Sequence, residues 1–353
     1  MCRHFIILSL IIIAGLFSAV MVSCSETDSN AYLRSLRRIG MVAIDPVDSA
    51  SLSDVEKFLA MDVVKANDWL IMSGDSRSTF NLLFYNLKTK DRILALRKGR
   101  GPGEMSYVSN ILKHDGKVSI YDGDRGMLYN VDIPRTISTR MLSADTVTNL
   151  RDDFTKPSSV AQCGKCGYLT TNIVSANVWY SYSNKDGKIL SSVPTFEYKE
   201  LSDDFDAKVS HLISSEMISS PDGMKACVAN IIFPVISFSS VDGGKLTEYR
   251  RYAYPAMGFN GTSITSEWIR NFQCLQADEK YVYALYSGNK FRGGSLPSWE
   301  CQHLIVYDWS GEPVRHFFLN RNITYFFLEG SKLYCDSSYP DFNIYVYDLE
   351  KYL

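Results

Sequence analysis

Short runs of alternating apolar and polar residues, separated by tight polar turns, extend over most of the chain. In the stretch LIVYDWSGEPVRHFFL, a strand that ends in an aromatic residue and Asp308 precedes a Gly-containing turn and a second alternating strand. This pattern predicts a β-hairpin. Copies of the aromatic-ended strand occur at Asn81–Asn86, Met127–Asp132, Val178–Ser183, Val235–Ser239, Leu304–Asp308 and Ile344–Asp348.

A tight polar turn between two apolar runs precedes each of these six strands. The turns are marked by Asn67, Asp115, Cys163, Asp222, Asp278 and Gly330, with spacings of 48, 48, 59, 56 and 52 residues. A repeat of about 50 residues with four short strands per unit is typical of a propeller blade. A β-sandwich would not repeat two elements in register six times. The sequence therefore predicts an all-β fold, a six-bladed β-propeller.

The two ends of the chain predict how the ring closes. The fifth unit has an outer strand, Pro313–Leu319, whereas the sixth unit ends at Leu353, shortly after its own aromatic-ended strand. The segment Arg37–Ile44 precedes the first unit and has no partner in the repeat pattern. We expect this N-terminal strand to join the last blade, because the pairing removes an edge that would otherwise promote aggregation.

The first residues predict an export signal. Arg3 and His4 precede an apolar run, Phe5–Val22, and Cys24 follows a small residue at the end of that run. A run of this kind predicts a signal peptide, although its length would also fit an uncleaved anchor. The position of Cys24 resembles the lipobox of bacterial lipoproteins, in which the cysteine is lipidated and becomes the mature N-terminus.

These features divide the chain into three predicted segments. They are a lipoprotein signal peptide over 1–23, a tether over 24–36 that follows the lipidated Cys24, and a propeller over 37–353. The expected location is the cell envelope, as an outer-membrane lipoprotein that faces the periplasm or the cell surface. Its expected contact with the membrane is the lipid anchor.

Composition and charge narrow the classes of function. The 353 residues are 46% hydrophobic and 22% charged, with a formal net charge of −2, which is ample for a sizeable core. The near-neutral charge argues against a nucleic-acid-binding protein, for which a basic face is the usual footprint. No cofactor is predicted, since the five histidines lack metal-ligand spacing and the sequence has no Gly-x-Ser-x-Gly nucleophile motif.

The most distinctive motif, KGRGPGE, lies in the predicted loop 96–109 between the first two blades. Its three glycines and one proline specify backbone conformations that other residues resist. Exposed amides flanked by Arg97, Lys98 and Arg100 could bind a carboxylate, phosphate or sulfate. In the structural alternative, the loop only crosses between blades and Glu104 pairs with an arginine. The motif is not a phosphate-binding P-loop, because no Gly-Lys-Ser/Thr follows it.

A KGRGPGE-type loop after the first blade of a lipidated six-bladed chain resembles the TolB-like propeller lipoproteins of Bacteroidetes. The resemblance covers essentially the whole mature chain, and the loop is its one specific motif. It implies a propeller fold and a location in the cell envelope. It implies neither a settled activity nor catalytic residues.

Further candidate ligand-binding residues lie on the same predicted loop face. Asp122 and Arg125 belong to a loop that resembles the one that NHL-type propellers place near the channel mouth. Arg292 lies in another loop, where an aromatic neighbour such as Trp268 or Trp299 could stack on a sugar ring or a peptide. The alternative for these charges is solvation or pairing across blades, and for the aromatic residues it is covering the end of the core.

A cysteine pair, Cys163 and Cys166, lies on the predicted tight turn of the third blade. A structural zinc site needs four ligands, usually from two such pairs, and a thioredoxin-type motif needs a helix start after a strand. The sequence therefore predicts free thiols or a local disulfide.

Two functions lead at this point, and a wholly structural role as an assembly scaffold also stays open. The first is a binding module for an envelope protein, a peptide or a glycan, with Arg97, Lys98 and Arg100 as polar anchors. The second is a propeller enzyme, a lyase or a lactonase-like hydrolase, with a metal or an acid/base set at the channel mouth. A lactonase-like site would place Asp75 and Asp122 around a divalent ion. Binding is favoured over catalysis, because such enzymes have clearer acidic ligand positions than this sequence contains.

Overall fold

The computed structural model describes residues 30–52, 58, 60–74, 78–114, 116–151, 157–165, 167–171, 178–196, 215–255, 268–290, 300–337 and 343–353. The described chain begins with a short helix, α1 (Ala31–Ser35), and one turn of 3-10 helix (Leu36–Ile39). Two short strands follow, β1 (Val42–Ile44) and β2 (Asp48–Ser51).

Six sheets, here called blades 1 to 6, follow in chain order. Blade 1 contains β3 (Ala60–Ala66), β4 (Trp69–Gly74), β5 (Phe80–Asn86) and β6 (Arg92–Arg97). Blade 2 contains β7 (Asn110–His114), β8 (Lys117–Asp122), β9 (Met127–Val131), α2 (Ile133–Thr139) and β10 (Ala144–Asn149). Blade 3 contains β11 (Ser159–Cys163), β12 (Gly167–Thr171), β13 (Val178–Asn184) and β14 (Ile189–Pro194). Blade 4 contains β15 (Ser215–Ser219), β16 (Lys225–Asn230), β17 (Val235–Asp242) and β18 (Lys245–Ala253). Blade 5 contains β19 (Phe272–Ala277), β20 (Tyr281–Tyr286), β21 (Cys301–Asp308) and β22 (Pro313–Ile323). Blade 6 contains β23 (Tyr325–Glu329), β24 (Lys332–Ser337) and β25 (Asn343–Asp348).

The first strands of the six blades line a central channel. They contact one another in a closed cycle, from β3 through β7, β11, β15, β19 and β23 back to β3. Because the chain reverses at every turn, the connections between blades and those between second and third strands share one end, the loop face. The turns between first and second strands lie at the other end, the turn face. In a ring of six, blades 1 and 4 stand opposite each other across the channel.

The predicted six-bladed propeller is confirmed. Each of the six aromatic-ended strands is the third strand of a blade, and each of the six marked turns joins a first strand to a second one. The third strands of blades 1, 4 and 5 are largely buried on both faces, because they lie in the middle of a blade between neighbouring sheets. Their apolar and aromatic content reflects that burial.

The ring is closed by an N-terminal strand, as predicted, but a different segment provides it. β2 pairs antiparallel with β25, with Asp48 opposite Val346 and Ser51 opposite Asn343. The predicted segment Arg37–Ile44 ends instead in β1, which pairs in parallel with β22 at the edge of blade 5. The closing strand has the sequence DSAS and is mostly exposed, so it carries no apolar alternation that a sequence pattern could reveal.

The segment predicted as a tether over 24–36 is packed on the propeller from Asn30 onward. Asn30 caps α1, and its Oδ1 accepts the backbone N–H groups of Tyr32 and Leu33, each at 3.1 Å. Tyr32 is 2% exposed and its ring lies 4.5 Å from the ring of Tyr286 in blade 5. Residues 30–36 of the predicted tether therefore pack on the propeller, because three of their apolar side chains are buried.

The cysteines that the structure describes are buried and form no disulfide with one another, namely Cys163, Cys227, Cys274, Cys301 and Cys335. Cys163 ends β11, and its Sγ donates to the carbonyl of Gly223 in blade 4 at 3.5 Å. Burial raises the pKa of Cys163 to about 12, which makes the thiol a poor nucleophile at neutral pH. Its predicted neighbour Cys166 lies outside the described residues.

Candidate functional site

The Gly-rich motif forms a compact loop that closes on itself at the end of β6. Arg97 is the last residue of that strand, and Lys98 forms a parallel bridge with Met105. The N–H of Gly99 donates to the Met105 carbonyl at 3.2 Å, and the N–H of Met105 donates to the Arg97 carbonyl at 3.3 Å. Arg97 and Arg100 are both exposed, so the loop presents two cationic residues to solvent.

An internal carboxylate occupies part of this loop. Oε2 of Glu104 accepts the backbone N–H of Gly101 at 3.0 Å. The same oxygen packs so closely on Gly99 that a Cβ at that position would lie 1.9 Å from it, which explains the glycine there. The loop therefore holds an anion of its own, and any external carboxylate or phosphate would compete with Glu104. That Arg97, Lys98, Arg100 and Glu104 bind a ligand stays a prediction.

Asp122 and Arg125 lie beside this loop, on the turn between the second and third strands of blade 2. The Asp122 side chain is fully buried, and its Oδ1 accepts the N–H groups of Asp124 and Arg125, both at 3.0 Å. Its Oδ2 lies 3.5 Å from the Arg125 guanidinium. Ser106 Oγ donates to Asp124 Oδ2 at 2.5 Å and joins the turn to the Gly-rich loop. These contacts explain Asp122 as a residue that shapes the turn.

Several predicted residues lie outside the described part of the chain. They are the lipidation candidate Cys24, the ligand candidates Asp75 and Arg292, and the loop aromatic Trp299. Trp268 is described and is 5% exposed, with its Nε1 donating to the carbonyl of Ile232 at 3.0 Å. Within the described ranges, no three His, Cys, Asp or Glu side chains converge in a way that could hold a metal ion.

The mouth of the central channel, on the loop face, is a partly polar cavity of about 310 Å³. A second cavity of about 360 Å³ continues along the channel toward the turn face. Residues from blades 1 to 4 line both cavities and form the neck between them. Polar residues from each blade or its entry segment line the mouth, among them Asp62, Asn110, Ser159, Glu216, Arg270 and Tyr325.

Side chains at the neck tie neighbouring blades together. Oδ2 of Asp62 in blade 1 accepts the N–H of Ile111 in blade 2 at 2.8 Å. Oδ1 of Asn110 in blade 2 accepts the N–H of Val160 in blade 3 at 2.9 Å, and also the Ser159 hydroxyl at 3.1 Å. The same position in successive first strands therefore bonds the backbone of the next blade. This arrangement fixes these polar groups on rigid strands.

The two carboxyl groups of the neck come from opposite blades and both hold protons unusually tightly. Burial raises the pKa of Asp62 to about 7, against the opposing effect of the N–H groups that it accepts. Burial and then the charge of Asp62 raise the pKa of Glu216 to about 8, against the opposing effect of Arg270. Each carboxyl group therefore changes charge close to neutral pH, which is a common property of functional sites.

Glu216 has hydrogen-bonding capacity left over at the neck. Its carboxyl group accepts no hydrogen bond from any residue that the structure describes, and it lines both cavities. Arg270 approaches from the entry to blade 5, where its Nε donates to Gln273 Oε1 at 2.7 Å. Tyr325 lies close enough to Glu216, Arg270 and Asp62 to interact with all three charges. The neck and the mouth beside it thus form a mixed site with two acids, one guanidinium and a phenol.

Sequence reasoning missed Asp62, Glu216, Arg270 and Tyr325 as site residues. A weak signal exists once the repeats are aligned on their turns. Asp62 and Tyr325 stand five residues before the turn markers of their blades, and Glu216 stands six residues before its marker. A polar side chain at this point of a first strand faces the channel. The aligned repeats give no corresponding position for Arg270, because this residue precedes the first strand of its blade.

A comparison with protein families identifies the chain. The sequence model of the family described as "TolB-like 6-blade propeller-like" matches residues 48–330. The chain belongs to this TolB-like family. The match begins at the closing strand β2 and extends to the last tight turn, so it covers blades 1 to 5 and the first strand of blade 6 of the TolB-like propeller. The resemblance suggested by the KGRGPGE loop is thereby confirmed at the level of family and fold.

Solved structures agree on the fold of this TolB-like propeller. A member of the DUF4221 family from Bacteroides vulgatus is 10% identical, with a TM-score of 0.54 over 84% of this chain and 94% of that chain. A protein from Bacteroides fragilis described as exported is 12% identical, with a TM-score of 0.51 over 84% and 88%. No curated protein matches the sequence. Among the described residues, no helix is long and apolar enough to cross a membrane.

Proposed function

We propose that this TolB-like propeller is an envelope lipoprotein, anchored through Cys24, that binds an envelope protein, peptide or glycan on its loop face. The observation that carries the proposal is the polar cavity of about 310 Å³ at the channel mouth, to which all six blades contribute. Concave sites with a few converging polar groups on a rigid scaffold are the usual form of a binding site. Charged side chains on first strands, whose positions the ring fixes, can select a ligand without reorganisation.

An exported location supports the same proposal. One structural relative from Bacteroides fragilis is described as exported, and the start of this chain has the pattern of a lipoprotein signal. Metabolic labelling with a palmitate analogue should modify the full chain in its host, and Cys24→Ser should abolish the labelling. Labelling that persists in Cys24→Ser would contradict an anchor at this residue.

Binding itself is tested by thermal shift on the full chain in mild detergent, with a panel of envelope glycans and peptides. A ligand at a hundred times its dissociation constant should add about 2.7 kcal/mol to the free energy of unfolding. Two variants separate the candidate surfaces: Arg97→Ala with Arg100→Ala on the Gly-rich loop, and Glu216→Gln at the neck. A shift that Glu216→Gln removes would support the mouth, and a shift that only the double arginine variant removes would move the site to the loop. No shift across the panel would contradict the proposal.

A second candidate function rests on the pKa values of the neck. General acid–base catalysis works best when the pKa of the catalytic group lies near the operating pH, and Asp62 and Glu216 meet that condition. A glycan lyase or hydrolase would therefore be compatible with this cavity. Turnover of a panel ligand that is lost in Glu216→Gln, with binding retained, would favour the enzyme over the binding module.

A further inference from the structure

We infer that the neck of the channel is a receptor site for a primary ammonium group, held between the carboxyl groups of Asp62 and Glu216. The inference rests on the proposed function, because it names the ligand chemistry of the same cavity. Asp62 lies on β3 and Glu216 on β15, so the two carboxyl groups project into one passage from opposite sides of the ring.

The hydrogen-bond inventory of the neck favours a donor-rich cation. Glu216 accepts nothing from the described residues, and the carboxylate of Asp62 accepts two backbone N–H groups out of about four that its oxygens can take. An ammonium group brings three N–H donors and no acceptor. It would therefore satisfy the open positions on both acids at once and remove their mutual repulsion.

An anionic ligand fits the same neck less well. Two carboxyl groups face one guanidinium there, and the Nε of Arg270 already donates to Gln273. A carboxylate ligand near Arg270 would also approach Glu216, with which that guanidinium interacts. Arg270 instead limits the total negative charge, so a ligand with one positive charge balances the neck when both acids are ionised.

Other ionisable groups of the described residues also lie on the channel wall. Tyr325 from β23, Cys274 from β19 and Tyr107 from the loop before β7 face the neck or mouth, while Lys113 and His114 of β7 lie toward the turn face. Burial raises the pKa of Tyr325 and of Cys274 well above their ordinary values. Both groups therefore stay neutral between pH 6 and 8.5, and the carboxyl pair dominates the change of charge.

The test uses the full chain in mild detergent and isothermal titration with Nα-acetyl-lysine methylamide, compared with its Nε-acetylated derivative. The lysine ammonium keeps its charge up to pH 8.5, so the acids alone set the pH dependence. We expect the dissociation constant to be at least tenfold smaller at pH 8.5 than at pH 6. Acetylation of the amine should weaken binding at least tenfold. Glucosamine and N-acetylglucosamine, compared at pH 7.5, show whether the preferred amine belongs to a sugar or to a peptide.

Glu216→Gln is the decisive variant, because the side chain keeps its shape and breaks no hydrogen bond to a described residue. It should weaken amine binding at least tenfold, while Glu279→Gln, on an exposed turn at the opposite face, should leave binding unchanged. Equal affinity for the amine and its acetylated form would overturn the inference. So would tighter binding of N-acetylglycine at pH 6 than at pH 8.5, which would indicate an anion site at Arg270.

The inference and the proposed function can fail separately. If a glycan or peptide of the envelope panel binds and Glu216→Gln abolishes that binding, but neither amine binds, the binding module stands and the ammonium site is refuted. If no ligand of either kind binds, both are refuted. A cooperative urea transition for Glu216→Gln, with a midpoint no lower than that of the wild type, shows in each case that the variant is folded.

Discussion

Replacing Glu216 by glutamine should stabilise the propeller, and increasingly so as the pH rises. The glutamine imitates the protonated carboxyl group, which is the form that the neck favours at neutral pH. In the unfolded chain, by contrast, Glu216 ionises at its ordinary pKa. The wild-type protein therefore loses stability at every pH at which the unfolded state has released this proton and the folded state still holds it.

The size of the effect follows from the shift of this pKa. The pKa of Glu216 is raised from 4.5 to about 8, and each pKa unit corresponds to about 1.36 kcal/mol. For a raised carboxyl pKa, the free energy of unfolding falls as the pH rises from 4.5 to 8 and then stays level. Between pH 5.5 and pH 8.5 the wild type should lose about 3 kcal/mol through this one group, and Glu216→Gln should not.

Urea denaturation of both proteins at pH 5.5 and pH 8.5, in buffers of equal ionic strength, measures this difference. The stabilisation by Glu216→Gln should grow by about 3 kcal/mol between the two pH values, without a change in the denaturant slope. Glu279→Gln, with its side chain in solvent, should show the same small difference at both. An equal effect of Glu216→Gln at both pH values, or a loss of stability at pH 8.5, would refute the account of a buried, repelled carboxyl group.

Three further predictions concern the ends, the loop and the thiols. A chain that starts at Val47 keeps the closing strand, whereas a chain that starts at Leu52 loses it. Because the shorter chain lacks the hydrogen bonds of that strand, its free energy of unfolding should be lower than that of the longer chain by about 2–4 kcal/mol. The exposed edge of blade 6 should also make the shorter chain self-associate in analytical ultracentrifugation. Gly99→Ala should displace the Glu104 carboxylate and cost about 1–3 kcal/mol in urea denaturation, with Glu104→Gln as the milder control. Peptide mass spectrometry after treatment with a thiol reagent should find the five described cysteines unmodified in the folded protein and modified in urea; fast modification when folded would contradict their burial.

Much of the fold could be predicted from the sequence because a propeller repeats one pattern in register. Third strands lie inside each blade, so they are apolar and aromatic, and tight turns need residues such as Asn67, which adopts φ of 52°. The closing strand Asp48–Ser51 could not be predicted in this way. It lies at the exposed edge of blade 6, where the pairing is made by the backbone and leaves no apolar pattern in the side chains.

The candidate site was less predictable than the fold, for a different physical reason. Asp62 and Glu216 are 154 residues apart in the chain and meet only because the ring brings opposite blades together. The Gly-rich loop, in turn, predicts amides that suit an anion, and the structure shows Glu104 bound to one of them. Whether an acid completes a loop or leaves it open depends on a rotamer, which sequence spacing does not specify.

The docking of α1 has a consequence for where a ligand could come from. Asn30 donates to the Tyr286 hydroxyl at 2.7 Å and sits beside Asn271, on the loop face near the channel mouth. A lipid on Cys24 would be six residues away, and six extended residues span at most about 21 Å. With the proposed anchor, the bilayer would then lie within about 21 Å of Asn30, a residue on the loop face. Such a propeller would sample molecules held in or close to its own membrane.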